Sequence, residues 1–383
     1  MSRPAPLTVY EFFAGGGMAR IGLGDRWRCL FANDFDKVKA AAYRANFPDA
    51  AEHLREGDVW DLTAADLPGR ADLAWASSPC QDLSLAGGRR GLGRGLDGGR
   101  SSAFWGFWRL IMDLERQDRA PRAIVIENVT GLLTSHGGAD FAALCGALAE
   151  GGYRFGALQI DASLFLPQSR PRLFVLAVRE APPADLVGPS PSFHTAAVRR
   201  AHDALPEALK ARWLWWRLAE PLRRNTVLAD VLEPDAAGWL SPEKTRALLD
   251  QMHPLHRARV EAALASGERR VGTVFRRVRV EHGRKVQRAE ARFDGLAGCL
   301  RTPAGGSSRQ FVLILENGEA RARLLTGREA ARLMGLPEDY RLPASATGAL
   351  HLAGDGVAAP VVRHLVAGLI EPLLDTDRRI AAA

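Results

Sequence analysis

Cysteine is scarce in this chain. Four residues in 383 are cysteines, Cys29, Cys80, Cys145 and Cys299, and no two form a CxxC pair. A zinc site needs clustered ligands, and a disulfide framework needs a cysteine-dense secreted chain. Neither fits; no metal site is expected, and reduced thiols are the default. Long apolar runs are also lacking, and no stretch is read as approaching a membrane span. The opening MSRPAPLTVYEFF has neither the apolar core nor the small-residue cleavage site of a signal peptide. A cytoplasmic location with no membrane partner is therefore expected. Acidic residues fall short of basic ones, 44 against 51, leaving a formal net charge of +7. That balance favours polyanions, but an arginine-rich composition spread everywhere produces the same number. The distribution has to decide.

What is present reads as ordinary globular protein: 47% hydrophobic and 25% charged residues, with length enough for a large core and two domains. The first half alternates. LTVYEFF, WRCLFAND, ADLAWASS, PRAIVIENV, YRFGALQIDAS and RPRLFVLAVRE are strand-like. Between them AGGGMARIGL, FDKVKAAAYRANF, FWGFWRLIMDLERQ and GADFAALCGALAEGG have helical spacing. Strands alternating with helices predict an α/β fold of βαβ units with a parallel, Rossmann-like sheet. Ligands then bind beyond the carboxyl ends of the strands. Gly15 to Gly17, Asp34, Pro79–Cys80 and Glu127–Asn128 fall at those ends.

The Pro-rich stretch REAPPADLVGPSPSF breaks the pattern and reads as a boundary. Beyond it the chain is irregular and arginine-rich. From Glu268 to Arg292 nine basic residues face three acidic ones. Such a run is usually a solvated face, and otherwise a surface for phosphates. From about Leu350 an ordered pattern resumes. The expected division is a catalytic domain over 1–185, a smaller irregular domain with a hinge over 186–340, and a segment over 341–383 returning to the first.

The glycine turn of EFFAGGGMARIGL follows a strand and opens a helix, where backbone can approach a cofactor and helix N–H groups are free. It lacks the third glycine of G-x-G-x-x-G, since Met18, Ala19 and Arg20 follow. Asp34 ends the second strand, where a carboxylate can accept from ribose hydroxyls. Asp58, in GDVWDL, is a second candidate, and either aspartate also suits a cap or turn.

Cys80 sits in WASSPCQDLS, directly behind Pro79 and at a strand's end rather than inside an apolar run. A lone cysteine is most often inert core, but this placement suits a nucleophile, whose thiolate needs positive surroundings. The following SLAGGRRGLGRGLDGGRSS reads as a cationic loop suited to closing over an anionic substrate. Glu127, after the apolar AIVI, can serve as a carboxyl held protonated to donate a hydrogen bond, or simply cap a helix. In PQSRPRLFVL, Arg170 and Arg172 lie two residues apart and share one face if extended, one to pair with a carboxylate and one with substrate.

Together FFAGGGMARIGL, SSPCQDLS, IENV, PQSRPRLF, REAARLMGLP and GDGVAAPVVRHL resemble the DNA (cytosine-5) methyltransferases, in that family's motif order. Only about Pro182 to Arg301 lies outside the resemblance. It implies an S-adenosylmethionine-dependent catalytic domain and a smaller target-recognition domain. By the family's motifs Cys80 would attack carbon 6 of a flipped cytosine. Glu127 would bond and protonate nitrogen 3, and Arg172 would contact the base and steady Glu127, with Arg170 nearby. Phe13, Ala14, Gly15, Gly17, Asp34, Phe35, Asp58, Val59, Pro79, Asp355 and Val357 would line the cofactor site. Asp355 stands where the family commonly has Asn, and Met18 where it commonly has Gly. Gln81, Ser84, Arg89 and Arg90 would meet DNA beside the base, and Arg276, Arg277, Arg301 and Arg309 would meet it from the recognition segment. The implied partner is double-stranded DNA in a bacterial cell, bound by a monomer in the nucleoid, with a cognate restriction endonuclease as companion. An RNA cytosine methyltransferase shares the motifs, and a non-catalytic DNA-binding regulator shares the fold. The basic insertion favours duplex DNA over the first, and the intact Cys80, Glu127 and Arg172 argue against the second.

Overall fold

The structure, a computed structural model, describes residues 5–79, 102–281, 283–302 and 309–375. The chain alternates through β1 (Leu7–Phe12), α1 (Met18–Leu23), β2 (Trp27–Asp34), α2 (Lys37–Asn46), α3 (Ala50–His53), β3 (Leu54–Glu56) and β4 (Leu73–Ser77). It continues through α4 (Ser102–Glu115), β5 (Ala123–Val129), α5 (Ala139–Glu150), β6 (Arg154–Asp161) and β7 (Pro171–Val178). These seven strands form one sheet in the order β3-β2-β1-β4-β5-β7-β6. Leu73 to Ala76 and Ala123 to Ile126 are buried throughout, as expected of central strands covered on both faces. One face is filled by an aromatic core in which Phe12 meets Phe107 edge-on at 4.9 Å, with Phe31, Phe104 and Trp108 around them.

The sheet is not wholly parallel. β7 runs antiparallel to both β5 and β6. The reason is the connection: only Ala162–Arg170 joins β6 to β7, too short to carry a crossover helix and return the chain parallel. The three-residue β3 was not foreseen, being too brief for periodicity to register.

Two compact units result. One comprises the described residues to Asp161, Pro171–Leu222 and those from Val357; the other comprises Ala162–Arg170 and Arg223–Gly356. The divisions at Leu222 and Val357 differ from those at 185 and 340 suggested by composition. The tryptophan-rich stretch beyond 185 belongs to the first unit because it packs on the sheet's edge. Leu214 N–H donates to Phe155 O at 2.7 Å, and the buried Trp216 indole donates to Leu176 O at 3.1 Å. At the other end the helix Ala359–Leu365 lies on α1 so closely that a methyl on Gly22 would sit 2.4 Å from Val362 Cβ. The stretch Ala346–Asp375 is, by length and composition, apolar enough to cross a membrane, contrary to the sequence reading. It is broken into two helices by non-helical residues 356–358, and Val361, Val362, Leu365, Leu369 and Ile370 are buried in the manner of core.

The second unit is more regular than its sequence suggests. β8 (Arg270–Glu281), β9 (Arg284–Arg292), β10 (Phe311–Glu316) and β11 (Glu319–Leu324) form an antiparallel sheet in the order β11-β10-β8-β9. Leu248, Leu249 and Val260, from helices Pro242–Asp250 and Pro254–Ala265, join Val274, Leu313 and Leu315 in its core. The basic run is thus a hairpin, not an irregular loop.

Candidate active site

Where β1 ends, the backbone turns left-handed three times within five residues: Phe13, Gly15 and Gly17 have φ of 57°, 56° and 79°. The turn is held from β2, the neighbouring strand. Asp34 accepts from Gly15 N–H through Oδ2 and from Asp36 N–H through Oδ1, both at 2.8 Å. Asp36 in turn caps α2 by accepting from Val38 and Lys39 N–H. Asn33 Nδ2 donates to Arg55 O at 2.9 Å and Gly57 O at 3.0 Å, tying in the chain after β3. Burial raises the Asp34 pKa against the opposing pull of Lys39 and the two N–H groups. The sequence-predicted carboxylate is therefore first a brace for the glycine turn, the turn role that the sequence had left open beside the ribose one.

Around this turn stand an aromatic ring and a second carboxylate. Phe35, directly after Asp34, is 58% exposed, unusual for a large apolar side chain. Asp58 is exposed and caps the short turn that follows, accepting from Trp60 N–H at 3.0 Å, while Val59 and Ala14 are buried.

The next two strand ends are locked together. Ser77 of β4 is paired with Glu127 of β5 in register. Asn128 Nδ2 donates to Ser78 Oγ at 3.0 Å, and its Oδ1 accepts from Val129 N–H at 2.8 Å. The fully buried Trp75 donates its indole N–H to Ser77 Oγ at 3.0 Å. Both serines that precede Pro79 are thus fixed by side-chain bonds. Pro79 is half-buried; Cys80, Gln81, Ser84, Arg89 and Arg90 lie outside the described residues.

Because β7 pairs antiparallel with β5, it sets Arg172 opposite Val129, and Arg172 Nε lies 3.3 Å from Glu127 Oε1. Glu127 is buried and Arg172 half-buried, with Nη1 donating to Pro171 O at 3.0 Å. A carboxyl sealed from water beside a fixed guanidinium can hold a proton or a hydrogen bond at one ring atom of a substrate.

Arg170 does not share the face of Arg172 as an extended stretch would allow. It is buried, and its guanidinium donates to Leu300 O at 2.9 Å, Gly354 O at 2.9 Å and Gly356 O at 2.6 Å. Three backbone carbonyls accept from it, so it braces backbone. Gln168 does the same: Nε2 donates to Leu333 O at 2.6 Å and Oε1 accepts from Leu300 N–H at 3.1 Å. Asp355 accepts from Thr302 Oγ1, and Val357 is buried. Arg309 donates to Thr347 Oγ1 at 2.7 Å, and Arg301 is exposed. Arg276 lies over the Phe311 ring at 5.3 Å, whereas Arg277 reaches Glu290 at 3.6 Å on an exposed hairpin face.

One polar cluster beneath the glycine turn gave no motif to find. Glu11, 1% exposed, accepts from Arg20 N–H at 3.3 Å and from Tyr43 OH at 3.4 Å. Tyr43 OH lies 3.2 Å from His53 Nε2, and Arg20 forks onto Asp49 at 2.8 and 2.6 Å. Burial, outweighing Arg20, raises the Glu11 pKa to about 7. The only sequence signal was an acid inside an otherwise apolar strand.

The C-5 cytosine-specific DNA methylase family model matches residues 7–371. The chain belongs to that family, and its class is DNA (cytosine-5-)-methyltransferase. It is 24% identical over 376 residues to the Type II methyltransferase M1.ScrFI of Lactococcus lactis subsp. cremoris, covering 97% of this chain and 80% of that protein. Against the Type II methyltransferase M.HhaI of Haemophilus parahaemolyticus the identity is 23% over 363 residues, covering 94% and 93%. The fold is shared with the solved S. pombe Dnmt2 methyltransferase, at a TM-score of 0.56 and 18% identity over 96% of this chain and 99% of that one. It is shared too with the Entamoeba histolytica methyltransferase EhMeth, at a TM-score of 0.59 and 13% identity over 97% and 98%.

Proposed function

We propose that this enzyme methylates carbon 5 of cytosine within a specific double-stranded DNA sequence, using S-adenosylmethionine and a covalent Cys80 adduct on a flipped base. The observation that carries the reading is the buried Glu127–Arg172 pair, held in register beside the strand that leads into Pro79–Cys80. Cytosine carbon 5 is a poor nucleophile. Addition of the Cys80 thiolate to carbon 6 makes it enamine-like, and a proton held by Glu127 at nitrogen 3 prevents negative charge from accumulating in the ring. Loss of the carbon 5 proton after methylation expels the thiolate. The base must leave the stack for these atoms to meet. Arg172 keeps Glu127 oriented; Arg170 has no part in the chemistry.

S-adenosylmethionine, when bound, supplies an electrophilic methyl group on a sulfonium. The donor set fits it. The exposed Phe35 ring suits the adenine, Asp34 retains lone pairs for ribose hydroxyls, and the exposed Asp58 suits a polar edge. Phe13, Ala14, Gly15 and Gly17 form the turn it would lie against, with Val59, Pro79, Asp355 and Val357 completing the set. Arg223–Gly356 would select the target sequence. In the setting of a Type II system, a restriction endonuclease would cut the unmethylated site.

The test is transfer of labelled methyl from S-adenosylmethionine to duplex DNA and, in parallel, to tRNA. DNA alone should be labelled, Cys80→Ser should abolish labelling, and duplex with 5-fluorocytosine at the target should trap a denaturation-resistant complex. Transfer to tRNA alone, or normal turnover by Cys80→Ser, overturns the reading.

A further inference from the structure

The β8–β9 hairpin outgrows its sheet. β10 pairs with β8 only over Arg270 to Val274, whereas β9 pairs with β8 from Thr273 to Glu281. Ala289, opposite Arg276, still bridges to Met252, so from Arg277 onward the hairpin is a two-stranded ribbon. Side chains alternate along it. One face begins in the core with Val274, Ala289 and Ala291, passes the half-buried Arg276, and ends in Val278, Val280, Lys285 and Gln287. Val278 is 56% and Val280 71% exposed, among the most exposed large apolar residues described. Register sets Val278 directly opposite Gln287, and Val280 opposite Lys285.

The other face carries Arg277, Arg279, Arg284, Arg288 and Arg292 against Glu281 and Glu290. Glu290 pairs with both Arg277 and Arg279, and Glu281 with Arg288. Five arginines against two glutamates leave this face cationic and its side chains ordered.

Resting on the DNA-methylation reading, we propose that the ribbon enters the major groove and reads an A·T pair of the target, with Val278 and Val280 against the thymine methyl and Gln287 on the adenine edge. A major groove about 12 Å wide admits a two-stranded ribbon. A glutamine amide matches the adenine N6 and N7 bidentately, and an apolar side chain matches the thymine methyl. Valine and glutamine standing opposite each other present both chemistries at one point. The arginines of the reverse face supply the charge complementary to flanking phosphates, which positions the ribbon without specifying a base. Exposed valines would otherwise be a cost with no return in a two-stranded segment.

The experiment uses the full-length protein with S-adenosylmethionine on a plasmid pool of randomised inserts, read by bisulfite sequencing. Gln287→Ala, and Val278→Ala with Val280→Ala, should relax preference at one A·T position about tenfold. Arg279→Ala should lower methylation of all sites alike. Val280→Thr, which keeps strand propensity and one methyl for the thymine, guards against a folding artefact and should retain the preference that the double alanine variant loses. Unchanged preference at every position in these ribbon variants overturns the inference, as does conversion of a dimer to a monomer with base preference intact. If the wild-type protein protects no cytosine in any insert, the DNA-methylation reading falls instead and takes this one with it.

Discussion

Glu127 and Glu11 are both buried carboxyls of the seven-stranded sheet, and their partners separate their roles. Glu127 faces the guanidinium of Arg172 near the end of β5. Glu127→Gln keeps the shape and a donor but transfers no proton, so kcat should fall by about 10²–10⁴-fold with cofactor affinity unchanged. Stopped-flow single turnover and cofactor titration check this; equal loss of cofactor binding would move Glu127 to the other pocket. Glu11 sits within the strand, among Arg20, Tyr43, Cys29 and His53. Its pKa rises from 4.5 to about 7. The unfolded chain releases this proton at the lower value, the folded chain at the higher. Stability is thus highest below the ordinary value and declines as pH rises towards 7, by on the order of 3 kcal/mol. Glu11→Gln should remove that part of the decline, seen as a difference in unfolding free energy between pH 5 and 8; a pH-independent difference refutes it.

Among the elements, the start of the helix Gly327–Arg332 shows how a motif can be structural. Thr326 and Glu329 form a reciprocal cap. Glu329 also meets the buried Arg323 of β11 in a two-pronged pair at 2.8 and 2.5 Å. Burial alone would raise the Glu329 pKa, but Arg323 and the N–H groups of Thr326 and Glu233 outweigh it and hold the carboxyl below its usual range. Its contribution is present above the ordinary pKa and lost as pH falls through the depressed one. Glu329→Gln leaves Arg323 charged and buried, and should cost about 3–5 kcal/mol in urea unfolding at neutral pH. A loss under 1 kcal/mol would show that water reaches the pair. Between β10 and β11, Asn317 and Gly318 have φ of 51° and 76°, the mirror-image turn that Asn-Gly favours, so that hairpin was open to reading from local sequence.

For the whole molecule, the division of labour makes the sharpest expectation. The Glu127–Arg172 pair and the glycine turn lie in one unit, and the β8–β9 ribbon in the other. Replacing Arg223–Gly356 with the corresponding segment of a relative of different specificity should redirect methylation to that relative's site, as bisulfite sequencing would show. An active chimera that keeps the original site refutes the assignment. The net charge of +7 concerns association with polyanions and says nothing about which sequence is chosen.

Sequence by itself determined what is local. The strands and helices of the first half, the glycine turn, and Pro79 and Glu127 at strand ends follow from hydrophobic runs and turn residues, which need no knowledge of partners. Tertiary structure alone decided the rest. The direction of β7 depends on how a short link returns to the sheet, and that direction brings Arg172 to Glu127 from 45 residues away. Arg170, two positions earlier and identical in chemistry, is buried on carbonyls near 300 and 355 instead. Nothing in PQSRPRLF distinguishes the two, because burial belongs to the environment rather than to the residue. Likewise the basic run from Arg269 spelled charge, but only strand register could divide it into an ion-paired face and an exposed face of valine and glutamine, since a one-residue slip would exchange them.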